Sequence, residues 1–411
     1  LKKYKKHIII YTFQSLEDPL LKGLMLEYLI RINKQRNELF FHLITHEQKQ
    51  YKFSTLRKKD KRKELAGQHI KWYPVNYKSG KLLLLKKIYN FIQTFIICLF
   101  IKFRYTPKVI VGFLPIAGGY STIIAKVLRL KLVVFCFEPH SEYMIDFNVW
   151  KKNSLKYKLL KKFEKMQIKK ASHLTLPTQA SVNYANKINP DNKKYLLPIS
   201  VDTDLFKFSE EKREALRKKL NTGNKIVIIY TGKFGGIYFN TKQIASLFKN
   251  LLEHYNDYYL LVITPDAKEM KSDITKLNIP QQNYSILDVV PYEQLPAFIS
   301  AADIGLIAIP SYASQKFRTP VKTALYLSCG IPYIVNKGIA EDDMIAQKEN
   351  IGIVIDDFDN INHQKLSDEI INICRGDIIA LRNKCRKIAV EQRSINLSVN
   401  ILNDIINDII A

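Results

Sequence analysis

Short runs of apolar residues alternate along the whole chain with longer stretches whose apolar positions recur every three or four residues. In the first half the runs are Ile8–Phe13, Phe40–Thr45, His69–Val75, Lys108–Phe113, Lys131–Phe137 and His173–Thr178. Each is rich in β-branched and aromatic residues and bounded by polar ones, which predicts strands covered on both faces. Between the first two, Leu21, Leu24, Met25, Tyr28, Leu29 and Ile32 fall at helical spacing, and a further helix opens at Gly118-Gly119. The second half repeats the logic. Strands are predicted at Lys225–Gly232, Tyr258–Thr264, Tyr284–Val290, Asp303–Pro310, Pro332–Asn336 and Asn350–Asp357. Helices are predicted near Lys242–His254, Glu293–Ala302 and Val321–Gly330, and the tail from Ile388 has a helical period.

Such alternation implies parallel sheets with right-handed crossovers, and ligands then bind beyond the carboxyl ends of the strands. The loops after Phe13, Phe113 and Phe137 therefore form the candidate edge of the first half. Pro198 interrupts the pattern and precedes the charged run Ser209–Lys225, read as a solvated helix. The expected organisation is an α/β chain of two doubly wound, Rossmann-like domains facing across a cleft. They span residues 1–197 and 198–390, and a helix over 391–411 crosses back to the first domain.

Length and composition suit this plan: 411 residues, 47% apolar and 25% charged. The charge does add something. Lys and Arg number 64 against 38 Asp and Glu, a net +26. A surplus of that size suits an anionic partner, although the Lys-, Ile- and Asn-rich usage also fits an AT-rich genome. The basic run Arg57–Lys63 reads either as a solvated loop or as a dock for an anionic membrane surface. The longest apolar stretch, Leu82–Phe103, is interrupted by Lys86, Lys87, Asn90, Gln93 and Thr94, so it predicts a helix packed on the domain core rather than a membrane span. The basic start followed by Ile8–Ile10 reads as a first strand rather than a secretory signal. Cys98, Cys136, Cys329, Cys374 and Cys385 are scattered and odd in number, which suits a reduced, cytoplasmic setting without zinc. No nucleic-acid recognition module is visible, and no Walker loop, Gly-x-Ser-x-Gly, His-Glu-x-x-His or Gly-x-Gly-x-x-Gly pattern occurs.

Four places carry candidate chemistry. Gly232, Lys233, Gly235 and Gly236 follow a predicted strand. This is either a tight turn needing glycine dihedrals, or a cradle whose amides and lysine hold phosphate. Arg318, Thr319, Pro320, Lys322 and Thr323 open a helix at a strand's carboxyl end, with Thr319 at the N-cap and Pro320 at the first helical position. Such a helix start attracts anions. Glu138, His140 and Glu142 follow another strand, where a histidine can take a proton or bond a sugar hydroxyl. Ser15 and Glu17 sit in the first loop, as acceptor contacts or as plain helix capping.

Together these features resemble the family 4 glycosyltransferases of the GT-B fold. Three segments carry the likeness: Leu196–Phe206 (LLPISVDTDLF), Val289–Ser311 (VVPYEQLPAFISAADIGLIAIPS) and Arg318–Gly338 (RTPVKTALYLSCGIPYIVNKG). The resemblance implies retaining transfer of a sugar from a nucleotide diphosphate sugar, held on the second domain, to a glycan or lipid-linked acceptor on the first. It implies no metal or other cofactor, because cations and a helix start neutralise the leaving diphosphate. Lys233 and Lys322 then touch the diphosphate, together with Arg318, Thr319 and Thr323. Gly235 and Gly236 let the donor approach, and His140 with Glu138 stands near the sugar. Ser15, Glu17 and Glu142 fall on the acceptor side. The product would be a surface polysaccharide or other glycoconjugate, made by a cytoplasmic protein that can rest peripherally on the inner face of the membrane.

The sequence departs from the family at Phe317 and Leu325, where two glutamates are usual, the second holding the donor ribose. That departure keeps a degenerate, donor-binding scaffold subunit open as an alternative. A nucleotide-sugar epimerase of the same fold is the other.

Overall fold

The computed structural model describes residues 6–410 except 19, 52, 78–82, 136, 237 and 357. The basic start, Leu82 and Cys136 thus lie outside the described residues. The chain divides into two compact units, Leu1–Pro198 with Asn396–Ala411, and Ile199–Ile395.

In unit 1 the elements follow as β1 (Lys6–Thr12), α1 (Glu27–Gln35), β2 (Leu39–Glu47), α2 (Thr55–Gly67), β3 (Ile70–Asn76), α3 (Leu83–Tyr105), β4 (Val109–Phe113), α4 (Pro115–Leu128), β5 (Lys131–Phe135), α5 (His140–Asp146), α6 (Leu155–Lys170), β6 (His173–Leu176), α7 (Gln179–Ile188) and β7 (Lys193–Leu196). The strands form one parallel sheet in the order β3-β2-β1-β4-β5-β6-β7. The order reverses at β1, so right-handed crossovers send α1 and α2 to one face and α3, α4, α6 and α7 to the other. The strand side chains agree. Ile9 and Tyr11 pack with the α3–α4 side. Ile8 and Ile10 face Met25 and Leu29 instead.

Unit 2 runs α8 (Glu210–Lys219), β8 (Ile226–Thr231), α9 (Thr241–His254), β9 (Tyr258–Ile263), α10 (Ala267–Lys276), β10 (Tyr284–Leu287), α11 (Leu295–Ala301), β11 (Ile304–Ile307), α12 (Val321–Ser328), β12 (Tyr333–Asn336), α13 (Asp342–Lys348), β13 (Gly352–Ile355), α14 (His363–Arg375) and α15 (Ile378–Gln392). Its parallel sheet has the order β10-β9-β8-β11-β12-β13. Both layers of helices bury apolar faces on it, in two clusters on opposite sides. Helix α9 shows the local logic well. Asn240 accepts from the Gln243 amide at 2.8 Å while Gln243 accepts from the Asn240 amide at 3.0 Å, a reciprocal cap.

Several expectations change. Arg57–Lys63 is not a loop but the body of α2, started by Ser54, which accepts from the Arg57 amide. The charged helix α8 buries no residue, yet it is not free in solvent. Arg213 and Arg217 reach Asp303 at 2.5 and 3.1 Å and so tie α8 to the start of β11. The long apolar helix α3 does not spend all its apolar surface on the core: Thr94, Cys98 and Ile101 are buried, but Ile92, Ile96 and Phe100 face outward.

The tail is two helices. Helix α16 (Ile395–Ile410) follows α15 after a break at Arg393-Ser394, where Ser394 bridges Val201. Arg393 is buried and donates to Asp342 at 2.6 Å. Beyond the break, Leu402, Ile405 and Ile409 lie over Ile8, Ile10 and Leu29 of unit 1, and Asp408 meets His173 and Lys193, each at 2.5 Å. Removing the Arg393 cation strands a buried carboxylate. Arg393→Met is therefore expected to lower unfolding free energy by about 3–5 kcal/mol, read by urea denaturation of the full chain.

Candidate active site

Strand β8 delivers Thr231 to the carboxyl edge of the unit 2 sheet, and the chain turns there at Gly232 with φ +126. The turn is pinned from inside. The Gly232 amide donates to the Ile263 carbonyl at 2.9 Å, the Phe234 amide to Asp266 at 2.7 Å and the Gly235 amide to the Phe239 carbonyl at 3.0 Å. Tyr230 donates its hydroxyl to the Lys233 carbonyl at 2.6 Å and stacks on Phe234. Three amides that a phosphate cradle would offer are thus already used. What the turn presents outward is the exposed Lys233 side chain. Gly235 and Gly236, at φ +70 and +63, are glycine for their dihedrals.

Helix α12 begins one residue later than expected. Its cap is Pro320, no side chain caps it, and Thr319 lies buried upstream. Pro320 holds extended dihedrals (φ −67, ψ 130) rather than helical ones, which moves the start to Val321. The Thr323 hydroxyl donates inward to Asp342 at 2.6 Å, so only its amide, in the first helical turn, is left for a ligand.

Lys322 crosses back over the glycine turn. A Cβ on Gly232 would meet the Lys322 Cε at 3.1 Å and Nζ at 3.2 Å, so the missing side chain is what lets the ammonium lie there. The ammonium sits over two rings, 4.8 Å from the centre of Tyr230 and 4.7 Å from that of Tyr238. Burial, and then the nearby charges of Arg318 and Lys233, push its pKa down to about 7. Arg318 in turn faces Tyr238 at 6.0 Å. Lys233 of the glycine turn and Arg318 and Lys322 of the segment that opens α12 therefore converge on one spot. Among the described residues neither Lys233 nor Lys322 has a carboxylate partner.

The positions where the resemblance expects glutamates are apolar and inside. Leu325 belongs to the core of unit 2, and Phe317 is buried as well. Neither can hold a ribose. Gln315, two residues earlier, is fully buried, and its side-chain amide has no hydrogen-bond partner among the described residues. No sequence pattern marked it.

In unit 1, Glu138 and His140 sit at the carboxyl side of β5, where α5 begins at His140. Glu138 accepts from the Tyr143 hydroxyl at 2.7 Å, and the His140 ring lies edge-on to Tyr143. Glu142 is taken by Lys161. The buried Glu164, which the sequence reading passed over, accepts from the Ser141 amide at 2.7 Å and its hydroxyl at 2.5 Å, holding the first turn of α5 in place. Burial raises its pKa to about 7. Ser15 is fully buried and structural: it donates to the His46 carbonyl and accepts from the Gln48 amide. Glu17 pairs with Lys22 at 3.2 Å. The same edge carries an unforeseen aromatic group. His46, held neutral by burial with a pKa near 4, stacks on Phe13 at 4.6 Å, with Tyr77 edge-on to both. His46 lies in β2, one residue beyond the strand expected at Phe40–Thr45, and no sequence pattern marked it.

Residues 266–398 match the family described as Glucosyltransferase 3-like, C-terminal domain. No curated protein matches the sequence. Among solved structures, the fold resembles sucrose-phosphate synthase from Thermosynechococcus elongatus with TM-score 0.72 and 11% identity, over 99% of both chains. It also resembles Anabaena Alr3699/HepE in complex with UDP and glucose, with TM-score 0.66 and 16% identity over 98% of this chain and 99% of that one. The glycosyltransferase WaaG, involved in lipopolysaccharide biosynthesis, gives TM-score 0.63 and 14% identity over 96% and 98%. The architecture is thus the GT-B fold, and with a glycosyltransferase domain at 266–398 the chain is a transferase.

The convergence of cations has a cost in the free protein. A lysine whose folded pKa is about 7, well below its ordinary 10.5, destabilises the fold most fully below pH 7. The penalty fades as pH rises from 7 toward the unfolded value. Lys322→Met is expected to raise stability near pH 7 by about 1 kcal/mol. It should also flatten the rise of stability between pH 7 and 10, as measured by urea unfolding across that range.

Proposed function

We propose that the chain transfers a sugar from a nucleotide diphosphate sugar to a glycan or lipid-linked glycan, with retention of anomeric configuration, in the synthesis of a surface polysaccharide or glycoconjugate. The observation that carries this reading is the meeting of Lys233, Arg318 and Lys322 at the carboxyl edge of the unit 2 sheet. A diphosphate bound there satisfies three like charges at once. As the bond from the anomeric carbon to the diphosphate breaks, negative charge grows on the departing oxygens, next to fixed cations that need not rearrange. The start of α12 adds its free amides and partial positive charge. In this reading no metal is called on for the leaving group.

The acceptor oxygen forms the new bond to the anomeric carbon and gives up its proton. His140 is this chain's candidate to bond the sugar or take that proton, with Glu138 fixing Tyr143 beside it. The rings of Phe13, His46 and Tyr77 offer an apolar platform for an acceptor. Uridine diphosphate and its glucose conjugate, which the Anabaena protein was crystallised with, are the first donors to try.

One observation favours a second reading. The buried Leu325 and Phe317 remove the usual ribose contact, which suits a subunit that binds a donor without turning it over. Release of uridine diphosphate from uridine diphosphate glucose separates the two: binding without release favours the scaffold.

In titration calorimetry, Lys322→Ala is expected to weaken uridine diphosphate binding roughly ten- to hundredfold with the circular dichroism spectrum unchanged. Equal affinity in the variant would refute the assignment. The anion prefers the charged lysine, so wild-type affinity should fall as pH rises above about 7, with proton uptake on binding.

A further inference from the structure

Helix α3 is 23 residues long and carries two different faces. Asn90, Thr94, Cys98 and Ile101 are buried on the sheet side. On the opposite side Leu85, Ile88, Ile92, Ile96, Phe100 and Phe103 all face outward, from 47% exposed at Ile88 to 80% at Phe103. At 3.6 residues per turn these six lie within about 60° of one line along the helix. They make an unbroken apolar stripe roughly 30 Å long. A monomeric soluble surface rarely leaves so much contiguous apolar area bare.

The borders of the stripe are cationic. Lys86 and Arg104 flank it on one side and Lys102 on the other, where long side chains can reach past an apolar boundary. The same layer of helices adds more charge. Phe91 of α3 packs on Tyr120 of α4 at 5.2 Å, and Tyr120 on Phe163 of α6 at 6.1 Å, so the three helices form one sheet-covering layer. The outer side of α6 carries exposed Lys158, Lys162, Lys165 and Lys169, with Leu155 exposed at the start of the helix and Leu159 exposed beside Lys158. Among the described residues no helix is long and apolar enough to cross a membrane. An outward apolar stripe, cationic borders and a back packed on the core of unit 1 describe a helix that lies in an interface rather than spanning it.

We propose that unit 1 docks on an anionic lipid surface through this layer. The α3 stripe enters the boundary between headgroups and acyl chains, and the lysines of α3 and α6 lie against the phosphates. Charge complementarity selects the occupant. The apolar stripe is framed by cations only, within a chain of net charge +26. A second copy of the chain would bring the same cations against themselves. The run Arg57–Lys63 is not part of this surface, because α2 covers the opposite face of the sheet.

Flotation of the full chain with lipid vesicles tests this. Binding is expected to vesicles of equal parts phosphatidylcholine and phosphatidylglycerol, and to be much weaker with phosphatidylcholine alone. Lys158→Gln, Lys162→Gln and Lys165→Gln together should weaken it roughly a hundredfold, about fivefold per charge, and added salt should do likewise. Ile92→Asn with Ile96→Asn should abolish it, with circular dichroism and melting unchanged because both side chains are exposed. A tryptophan reporter, Phe100→Trp, should shift its emission to the blue on adding the anionic vesicles. The proposal is overturned if the double asparagine variant binds like wild type. It is also overturned if wild type ignores anionic vesicles but self-associates through the stripe in sedimentation.

Discussion

One buried carboxylate holds unit 2 in register. Asp342 is wholly inside unit 2, where burial raises its pKa and Arg393 opposes the rise. Its two oxygens accept from Thr323 in the first turn of α12 and from Arg393 after α15, each at 2.6 Å. Its carbonyl takes the Tyr333 hydroxyl of β12 at 2.7 Å. A charge in that position is tolerable only because Thr323 and Arg393 both meet the carboxylate. The consequence reaches the edge of the sheet. Thr323 is adjacent to Lys322, so the knot sets where the ammonium begins its path over Gly232 without touching any ligand.

The two units solve their electrostatics in different ways. At the edge of unit 2, cations are gathered against their own repulsion, and two tyrosine rings supply part of the compensation. At the edge of unit 1, Glu142 and Glu17 are neutralised by lysines, Glu164 has its pKa raised, and His46 is kept uncharged. A strongly positive edge suits a departing anion. A nearly neutral, aromatic one suits an uncharged sugar or an apolar carrier.

What could be read from the residues follows from which contacts are local. The buried strands announce themselves because a parallel sheet covered on both faces needs unbroken apolar runs. Strand β7 went unseen, since Lys193-Lys194-Tyr195-Leu196 lies at the sheet edge and is not fully buried anywhere. Helices α2 and α6 were hidden by lysine: α2 buries only Leu65. Lys233 stood out in the sequence because it follows a strand in a glycine turn, and Lys322 because it lies in the first turn of a helix that begins after a strand. Tyr238, Asp342 and Glu164 were not, since their roles arise from partners distant in sequence. Periodicity correctly marked α3 as a helix with a broad apolar face. It could not say that only part of that face would meet the core, because an amphipathic count is blind to what lies on the other side.

The placement of α16 bears on how such a protein is made. The apolar surface formed by Ile8, Ile10 and Leu29 is covered by Leu402, Ile405 and Ile409, almost four hundred residues downstream. During synthesis on the ribosome that patch emerges early and waits for the whole of unit 2 to be translated before its lid exists. The nascent first lobe therefore carries a sticky flank for most of its translation time, a natural foothold for a chaperone.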